Sequence, residues 1–330
     1  MIATGAAPWT PAIEGLEAAG YLTSTTAMEL TGLPESLVVV GGNYIGLEMG
    51  QLFANLGVRV SIVEALDRIA PQEEPEISDV LTGILAESGV EVVTSATVVR
   101  IEGGERKSVV ALVAGEERRI DGSEILVATG RRPQLDGLAV DAAGVELDGR
   151  GILVLDDELR TTNPRVFAAG DVTGAPQFVY VAAAQGTIVA ENAIANAGRA
   201  MGYTALPRVT FTTPNIGAVG LTDAQAIEAG YACECRVLEL KHVPRARVNL
   251  DTRGLIKVVA DRATGKVLGV HALADNAGDV ILAGVYAVKF GLTVSDMADT
   301  WAPYLTMAEG LKLAAQSFTT DVRMLSCCAA

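Results

Sequence analysis

Leu37 to Glu64 reads LVVVGGNYIGLEMGQLFANLGVRVSIVE, and the fold is decided by how that stretch is punctuated. Leu37–Val40 is a short apolar run, long enough for a buried parallel strand and too short for a helix. Gly41 and Gly42 break it. From Tyr44 onward Leu47, Phe53 and Leu56 recur at helical spacing until Gly57, and Val58–Val63 is a second β-branched run closed by Glu64. The result is strand, turn, helix and strand, with an acid 23 positions after the first glycine. Such glycines let the chain turn sharply, so that a pyrophosphate can sit on the positive end of the helix. Glu64 is placed to accept hydrogen bonds from an adenosine ribose. Asn43 stands where the second glycine of the pattern is expected; Asn tolerates left-handed backbone better than most residues, which keeps the turn with a less intimate pyrophosphate contact. The competing reading is a tight turn that binds nothing. The pattern, with its flanking strands, favours a dinucleotide site at Gly41, Gly42, Asn43, Tyr44, Ile45 and Gly46.

Outward from that unit, the composition sets limits. The chain has 330 residues, half of them hydrophobic and a fifth charged, which suits an α/β enzyme of two or three domains. A net charge of −15 argues against nucleic acid as a partner. No apolar stretch approaches the ~18 residues that span a bilayer. The N-terminal MIATGAAPW carries no signal peptide pattern, and Cys233, Cys235, Cys327 and Cys328 do not form a secreted disulfide framework, so a cytoplasmic protein is expected.

Residues 1–30 begin inside a strand-like run, Met1-Ile2, that ends at Thr4-Gly5; a loop follows, then a turn or two of helix in Thr23–Leu30. Over 31–130 the pattern predicts a loop at Pro71–Ser78, a helix at Asp79–Ser88, and strands at Val90–Val93, Val98–Ile101, Val109–Val113 and Glu124–Thr129. Residues 131–205 hold a strand at Arg165–Ala169, then Gly170-Asp171 and a small-residue helix, Val181–Ala197. Asp171 lies where open α/β sheets bind ligands, and serves equally well as a helix cap. Residues 206–330 read as an α+β layer with antiparallel strands at Arg208–Phe211, Cys235–Leu240, Gly254–Ala260 and Val267–Ala272. Its helices are expected at Asp223–Ala229, Ala277–Phe290 and Thr306–Gln316.

GGNYIGLE with Glu64, ATGRRP at Ala128–Pro133, FAAGDV at Phe167–Val172 and the opening IATGA resemble the flavin-dependent pyridine nucleotide-disulfide oxidoreductases. QFVYVAAAQGT, VPRA, DTRGLIK, PYLTMAEGLKLAAQ and the tail LSCCAA are similar to the mercuric reductases within that family. The resemblance implies an α/β fold with doubly wound Rossmann-type nucleotide-binding domains and a C-terminal α+β dimerisation domain. On this reading 1–30 is the remnant of a first FAD segment, 31–130 the NAD(P) domain, 131–205 a second FAD segment and 206–330 the dimerisation domain. It implies that Gly41–Glu48, including Ile45 and Glu48, bind the nicotinamide cofactor, with Tyr44 covering the flavin until the nicotinamide displaces it. Glu64 and Gly130 would line the same site, and Thr4, Gly5, Asp171 and the backbone near Val179 would contact FAD. Glu64 argues for NADH, since a carboxylate repels a 2′-phosphate; Arg68, a few residues on, keeps NADPH open.

The resemblance also assigns the chemistry. Where the disulfide reductases have a histidine five residues before a glutamate, this chain has Tyr304 before Glu309. A phenol with pKa near 10 is a poor base at neutral pH but can donate a hydrogen bond or assist thiolate exchange around a soft metal. Read without the resemblance, Tyr304 is equally a packed aromatic. Adjacent Cys327 and Cys328 form a disulfide only with strain, yet make a clamp for a soft two-coordinate cation such as Hg(II); the bland alternative is a pair of frayed-end thiols. Similar tails reach the partner subunit's active site, which implies a homodimer. His242 and His271 are read as structural, and Cys233-x-Cys235 as incidental rather than as a second metal site. Neither G-x-G-x-x-G before Ile2 nor C-x4-C anywhere occurs in the sequence. The expectation is a mercuric reductase shortened at its N-terminus, using FAD with NADPH or NADH. The alternatives are a dihydrolipoamide dehydrogenase-like enzyme and a non-catalytic fragment that binds nucleotide and soft metal.

Overall fold

The computed structural model describes residues 1–104, 106–321 and Met324. The chain forms two compact units, one built from Met1–Pro11 and Thr129–Tyr203, the other from the remaining residues.

In the larger unit Ser36–Val40 is the inner strand of a four-stranded parallel sheet, flanked by Arg59–Val63 on one side and Glu124–Val127 on the other, with Glu91–Val93 outermost. The helices Tyr44–Asn55 and Pro75–Glu87 make the crossovers. Leu37 and Val39 face the helices, with Leu47, Phe53, Ile62 and Leu81, while Val38 and Val40 face a second layer with Ile101, Val109 and Ile125. Burial on both faces is why this strand reads as a continuous apolar run instead of alternating. The strand order reverses between Ser36–Val40 and Glu124–Val127, and Gly41 begins at that carboxyl edge, where open α/β sheets take their ligands.

The second layer is an antiparallel sheet of Ala96–Glu102, Lys107–Val113 and Glu116–Gly122. Its third strand, EERRIDG, was not expected: four of its first residues are exposed charges, which carry no apolar signal. The helix expected from Asp79 begins instead at Pro75, because proline at a first helical position needs no N–H partner.

The C-terminal part of this unit is a five-stranded antiparallel sheet in the order Pro207–Thr210, Asn215–Gly220, Val267–Ala274, Leu255–Asp261, Cys233–Glu239. Asn215–Gly220 was missed by the pattern because it carries glycines. One of them, Gly217, lies so close to Ala277 that an added Cβ would fall 2.7 Å from the Ala277 carbonyl oxygen. The helix Ala277–Phe290 forms as expected, whereas the last helix starts at Glu309 rather than Thr306, after Leu305 turns into left-handed backbone. His271 is fully buried in this sheet, with Nε2 2.9 Å from the Leu221 carbonyl, in keeping with a structural histidine.

In the smaller unit Ala6–Pro8 pairs antiparallel with Arg131–Pro133, and Ile2 bridges Ala168 in parallel. Arg165–Ala169 makes single bridges instead of the expected strand, and the helix runs Val179–Ala195, two residues earlier than predicted. Leu159, Phe167, Ala169, Ile188 and Val189 form its core. Among the described residues, no helix is long and apolar enough to cross a membrane.

Candidate functional site

The glycine loop is shaped by contacts that only small residues permit. Gly41 turns with φ 114°, and Gly46, inside the next helix, packs against it: a Cβ on Gly46 would lie 1.8 Å from the Gly41 carbonyl oxygen. A Cβ on Gly42 would meet Glu64 and Ile69 at 3.0 Å. Asn43 is not left-handed as its residue type suggested; at φ −103°, ψ −169° it is extended, and the left-handed turn falls on Gly41. Asn43 is the N-cap of Tyr44–Asn55, but its side chain caps nothing, and its Oδ1 is buried without a hydrogen-bond partner. The first turn of the helix also holds no acid. Helix N-termini leave several N–H donors unpaired and carry a partial positive charge, and here no capping side chain and no acid in the helix's own first turn offsets either. An anion is what such an end accommodates.

Glu64 lies against that loop. Its Oε2 accepts the Gly42 N–H at 2.6 Å and its Oε1 the Leu66 N–H at 2.8 Å, and the residue is only 8 % exposed. The carboxylate therefore fixes the loop, and each oxygen keeps a lone pair for a ribose hydroxyl. Arg68 donates to the Pro71 carbonyl at 2.9 Å, while its Nε is buried without a partner.

Tyr44 and Glu48 are engaged elsewhere in the same unit. The Tyr44 hydroxyl has one proton to share between two acceptors, Gln72 Oε1 at 3.0 Å and Glu73 Oε1 at 3.2 Å. Burial first, then the Glu73 charge, raises its pKa well above that of a free phenol, so it acts as a neutral donor. Glu48 accepts the Phe211 N–H at 2.8 Å, and Gln51, one turn on, exchanges two hydrogen bonds with Thr213. Burial raises the Glu48 pKa against the opposing pull of that N–H.

In the smaller unit the Ile2–Ala168 bridge runs Thr4 alongside the chain that leads to Gly170 and Asp171. The Thr4 hydroxyl donates to the Gln134 carbonyl at 2.5 Å, and Gly5 is left-handed at φ 73° with open space where a Cβ would stand. Asp171 opens a short 3-10 turn after Gly170, whose N–H donates to the fully buried Gln185 at 2.6 Å. Val179, the first residue of its helix, is 88 % exposed. Thr4 and Gly5 thus follow a bridge to Ala168, three residues before Asp171. Gly130 belongs to this unit, where its carbonyl accepts the Trp9 N–H at 2.9 Å.

Tyr304 is 58 % exposed, while Glu309 is buried and accepts the N–H of Leu305, the residue after the tyrosine, at 3.3 Å. Cys327 and Cys328 lie outside the described residues. Pattern reading did not find Asp223: it lies 4.8 Å or less from both Cys233 and Cys235 by its nearest ligand atom, a proximity created by packing and invisible in linear spacing.

Residues 1–186 match the model of the pyridine nucleotide-disulphide oxidoreductase family, and residues 206–315 that of its dimerisation domain. The chain is 54 % identical over 331 residues to a mercuric reductase of Streptomyces lividans, covering all of this chain and 69 % of that relative. It is 51 % identical to a mercuric reductase of Bacillus cereus and 50 % to one of Lysinibacillus sphaericus, covering 52 % and 60 % of their lengths. The chain thus spans from about half to seven-tenths of these curated relatives. Among solved structures, the Cu(II) complex of the HOCl-induced flavoprotein disulfide reductase RclA from Escherichia coli superposes with a TM-score of 0.88 at 33 % identity, covering 96 % of this chain and 71 % of that one. LpdA from Mycobacterium tuberculosis gives 0.85 at 29 % identity, with 96 % and 69 % covered.

Proposed function

The chain belongs to the pyridine nucleotide-disulphide oxidoreductases, in their mercuric reductase branch, and we propose that it serves the two-electron reduction of Hg(II) to Hg(0) at the expense of NAD(P)H. The observation that carries this is a dinucleotide cradle, closed by Gly46 on Gly41, in a chain about half identical over its whole length to mercuric reductases. In the balanced reaction Hg(II) gains two electrons, and NAD(P)H leaves as NAD(P)⁺ and a proton.

The residues divide the work. The uncapped end of Tyr44–Asn55 takes the pyrophosphate, and Glu64 holds the loop and the adenosine ribose, favouring NADH over a 2′-phosphate. Arg68 is the residue that would favour NADPH. Thr4, Gly5, Asp171 and the backbone at Val179 fit the rim of a flavin site, with small or left-handed backbone at Gly5 and Gly170. Bound FAD supplies a relay that accepts hydride and passes electrons to a dithiol. Cys327 and Cys328 take Hg(II) as a bis-thiolate and hand it on. Tyr304, exposed in a turn fixed by Glu309, donates a hydrogen bond during that exchange without acting as a base. The protein works as a homodimer through residues 206–315, in the cytoplasm, where thiols stay reduced.

The test is Hg(II)-dependent NADH and NADPH oxidation with FAD and excess thiol, run on this chain and on the same chain fused behind the N-terminal part of the Streptomyces lividans relative. Turnover by the fusion, lost in Cys327→Ala with Cys328→Ala, is the expected result. A fusion that binds FAD and NADH yet ignores Hg(II), while reducing lipoamide, would overturn the proposal.

A further inference from the structure

Outside the site just described, Cys233 and Cys235 sit on the Cys233–Glu239 strand, at the edge of the five-stranded sheet. Residues two apart on a strand project to the same side. Their sulfurs have turned toward each other and stand 3.2 Å apart. They are not joined. Same-face neighbours on a strand are about 6.6 Å apart at Cα, at the outer limit for a disulfide, and their Cβ vectors run parallel instead of converging. Both are free, half-buried thiols on a strand that, among the described residues, is paired on one side only, by Leu255–Asp261.

A third donor faces them from a different element. Asp223 is the first residue of the helix Asp223–Glu228, whose Thr222 cap bonds Gln225 in both directions. The Asp223 N–H donates at 2.7 Å to the buried Glu74 carboxylate. The backbone that carries Asp223 is therefore held at both ends of its first turn. Its carboxylate lies with the two sulfurs in a group whose ligand atoms all fall within 4.8 Å of one another. Lys257, whose charge acts on Asp223 and Cys233, is already bonded to Glu74 at 2.9 Å and Glu76 at 2.8 Å, and among the described residues no salt bridge to Asp223 closes the group.

We propose that Cys233, Cys235 and Asp223 bind a thiophilic d10 divalent cation such as Cd(II), Zn(II) or Hg(II), as a site distinct from the Cys327–Cys328 pair. Two thiolates select soft cations against Mg(II) or Ca(II), and the carboxylate completes a two-sulfur, one-oxygen set. Zinc–sulfur bonds of about 2.3 Å at a tetrahedral centre separate two sulfurs by roughly 3.8 Å, so for Zn(II) the thiols need open by only about half an ångström, and the longer bonds of a larger d10 cation ask for a wider opening. The cysteine side chains can make that movement by small χ1 rotations, without moving the strand. The fourth position stays open to water or an exchanging thiol, as in metal sites that pass their ion on. Binding displaces the thiol protons, which burial and the Asp223 carboxylate hold in place on both cysteines in the free protein, so metal uptake releases protons.

The chain has four cysteines, so Cys327→Ser with Cys328→Ser leaves only this pair. That variant, reduced with a non-thiol reductant, is titrated with Cd(II) while the ultraviolet thiolate-to-metal charge-transfer band is followed against a chromophoric chelator. One Cd(II) per chain is expected, and adding Cys235→Ser should abolish the band. Asp223→Asn should keep the stoichiometry and weaken binding at least tenfold. Circular dichroism and NADH binding, which none of these residues supports, check that each variant is folded. In the unmodified chain, Cd(II) should slow alkylation of Cys233 and Cys235 by iodoacetamide. The proposal is overturned if the Cys327→Ser, Cys328→Ser chain binds no more Cd(II) than a chain without cysteines, or binds one metal between two chains. Unchanged affinity in Asp223→Asn overturns the carboxylate as a ligand.

Discussion

Gly46 is the residue on which the nucleotide cradle turns. Its hydrogen faces the Gly41 carbonyl where any Cβ would stand 1.8 Å away, and backbone cannot yield as a flexible side chain can. Gly46→Ala should therefore push the helix off the loop, at a cost of about 1–3 kcal/mol in stability. The larger effect falls on NADH, because a displaced helix end no longer points its N–H donors at the pyrophosphate. Fluorescence titration should show at least a tenfold weaker complex, with far-ultraviolet circular dichroism unchanged; equal affinity would remove this loop from the site. Glu64 is harder to read from sequence than it first looks. The spacing marks it as a ribose ligand, but its two oxygens already hold the Gly42 and Leu66 amides, which no spacing rule reveals. Asn43 shows the opposite lesson. Its residue type suggested left-handed backbone, whereas Gly41 absorbs the turn and leaves Asn43 extended with a buried, unpartnered oxygen.

At the scale of elements, buried charge ties the Pro75–Glu87 helix and its entry loop to the antiparallel sheet. Lys257 bonds Glu74 and Glu76, and Glu73 accepts from Arg208 at 3.2 and 3.3 Å. Burial on its own would raise the Glu73 pKa. His271 and Arg208 outweigh it and hold the carboxyl at about 2, and of the two Arg208 is the bonded partner, since His271 Nδ1 is 3.9 Å away. A carboxyl whose folded pKa lies below its unfolded one adds stability that is complete above the unfolded value, near 4.5, and is lost as pH falls toward 2. Thermal midpoints should accordingly drop between about pH 5 and pH 2, and Glu73→Gln should flatten that slope while costing about 3 kcal/mol at neutral pH, where it strands Arg208. A variant with an unaltered slope would show that other carboxyls carry the acid response. None of these pairs was legible in the sequence, because they join residues more than a hundred positions apart. Elements with a local signal were legible: Ser36–Val40, Tyr44–Asn55 and Ala277–Phe290 lie where periodicity put them. Glu116–Gly122 was not, since an exposed strand built of charges has no apolar alternation, and neither was Asn215–Gly220, where Gly217 makes room for a helix and Gly220 for the neighbouring strand. The site divides in the same way: the glycine loop is written in consecutive residues, whereas Asp223 meets Cys233 and Cys235 only through packing.

At the scale of the whole molecule, association has to overcome charge. Each copy carries −15, so two copies repel at low ionic strength, and the dimerisation expected of this family needs an apolar face to outweigh that repulsion. The helix Ala277–Phe290 offers one. Val280, Ile281, Gly284 and Ala287 are buried, while Leu282, Tyr286 and Phe290, at successive four-residue steps, remain half or more exposed on another face. The Tyr286 and Phe290 rings are stacked with centroids 6.3 Å apart, which presents a preformed surface that loses little side-chain freedom on contact. Covering the exposed half or more of three such side chains in each copy is worth roughly 1–2 kcal/mol apiece, enough to stabilise a dimer against surface repulsion once salt screens it. Sedimentation velocity should therefore find twice the chain mass, with dissociation weakening as salt rises from about 10 mM to about 150 mM, over which the screening length falls from about 30 Å to about 8 Å. Tyr286→Glu with Phe290→Glu places new charges in that face and should leave a folded monomer. If the double variant remains a dimer with the same salt dependence, the subunits meet on another surface and this helix faces water in the assembly.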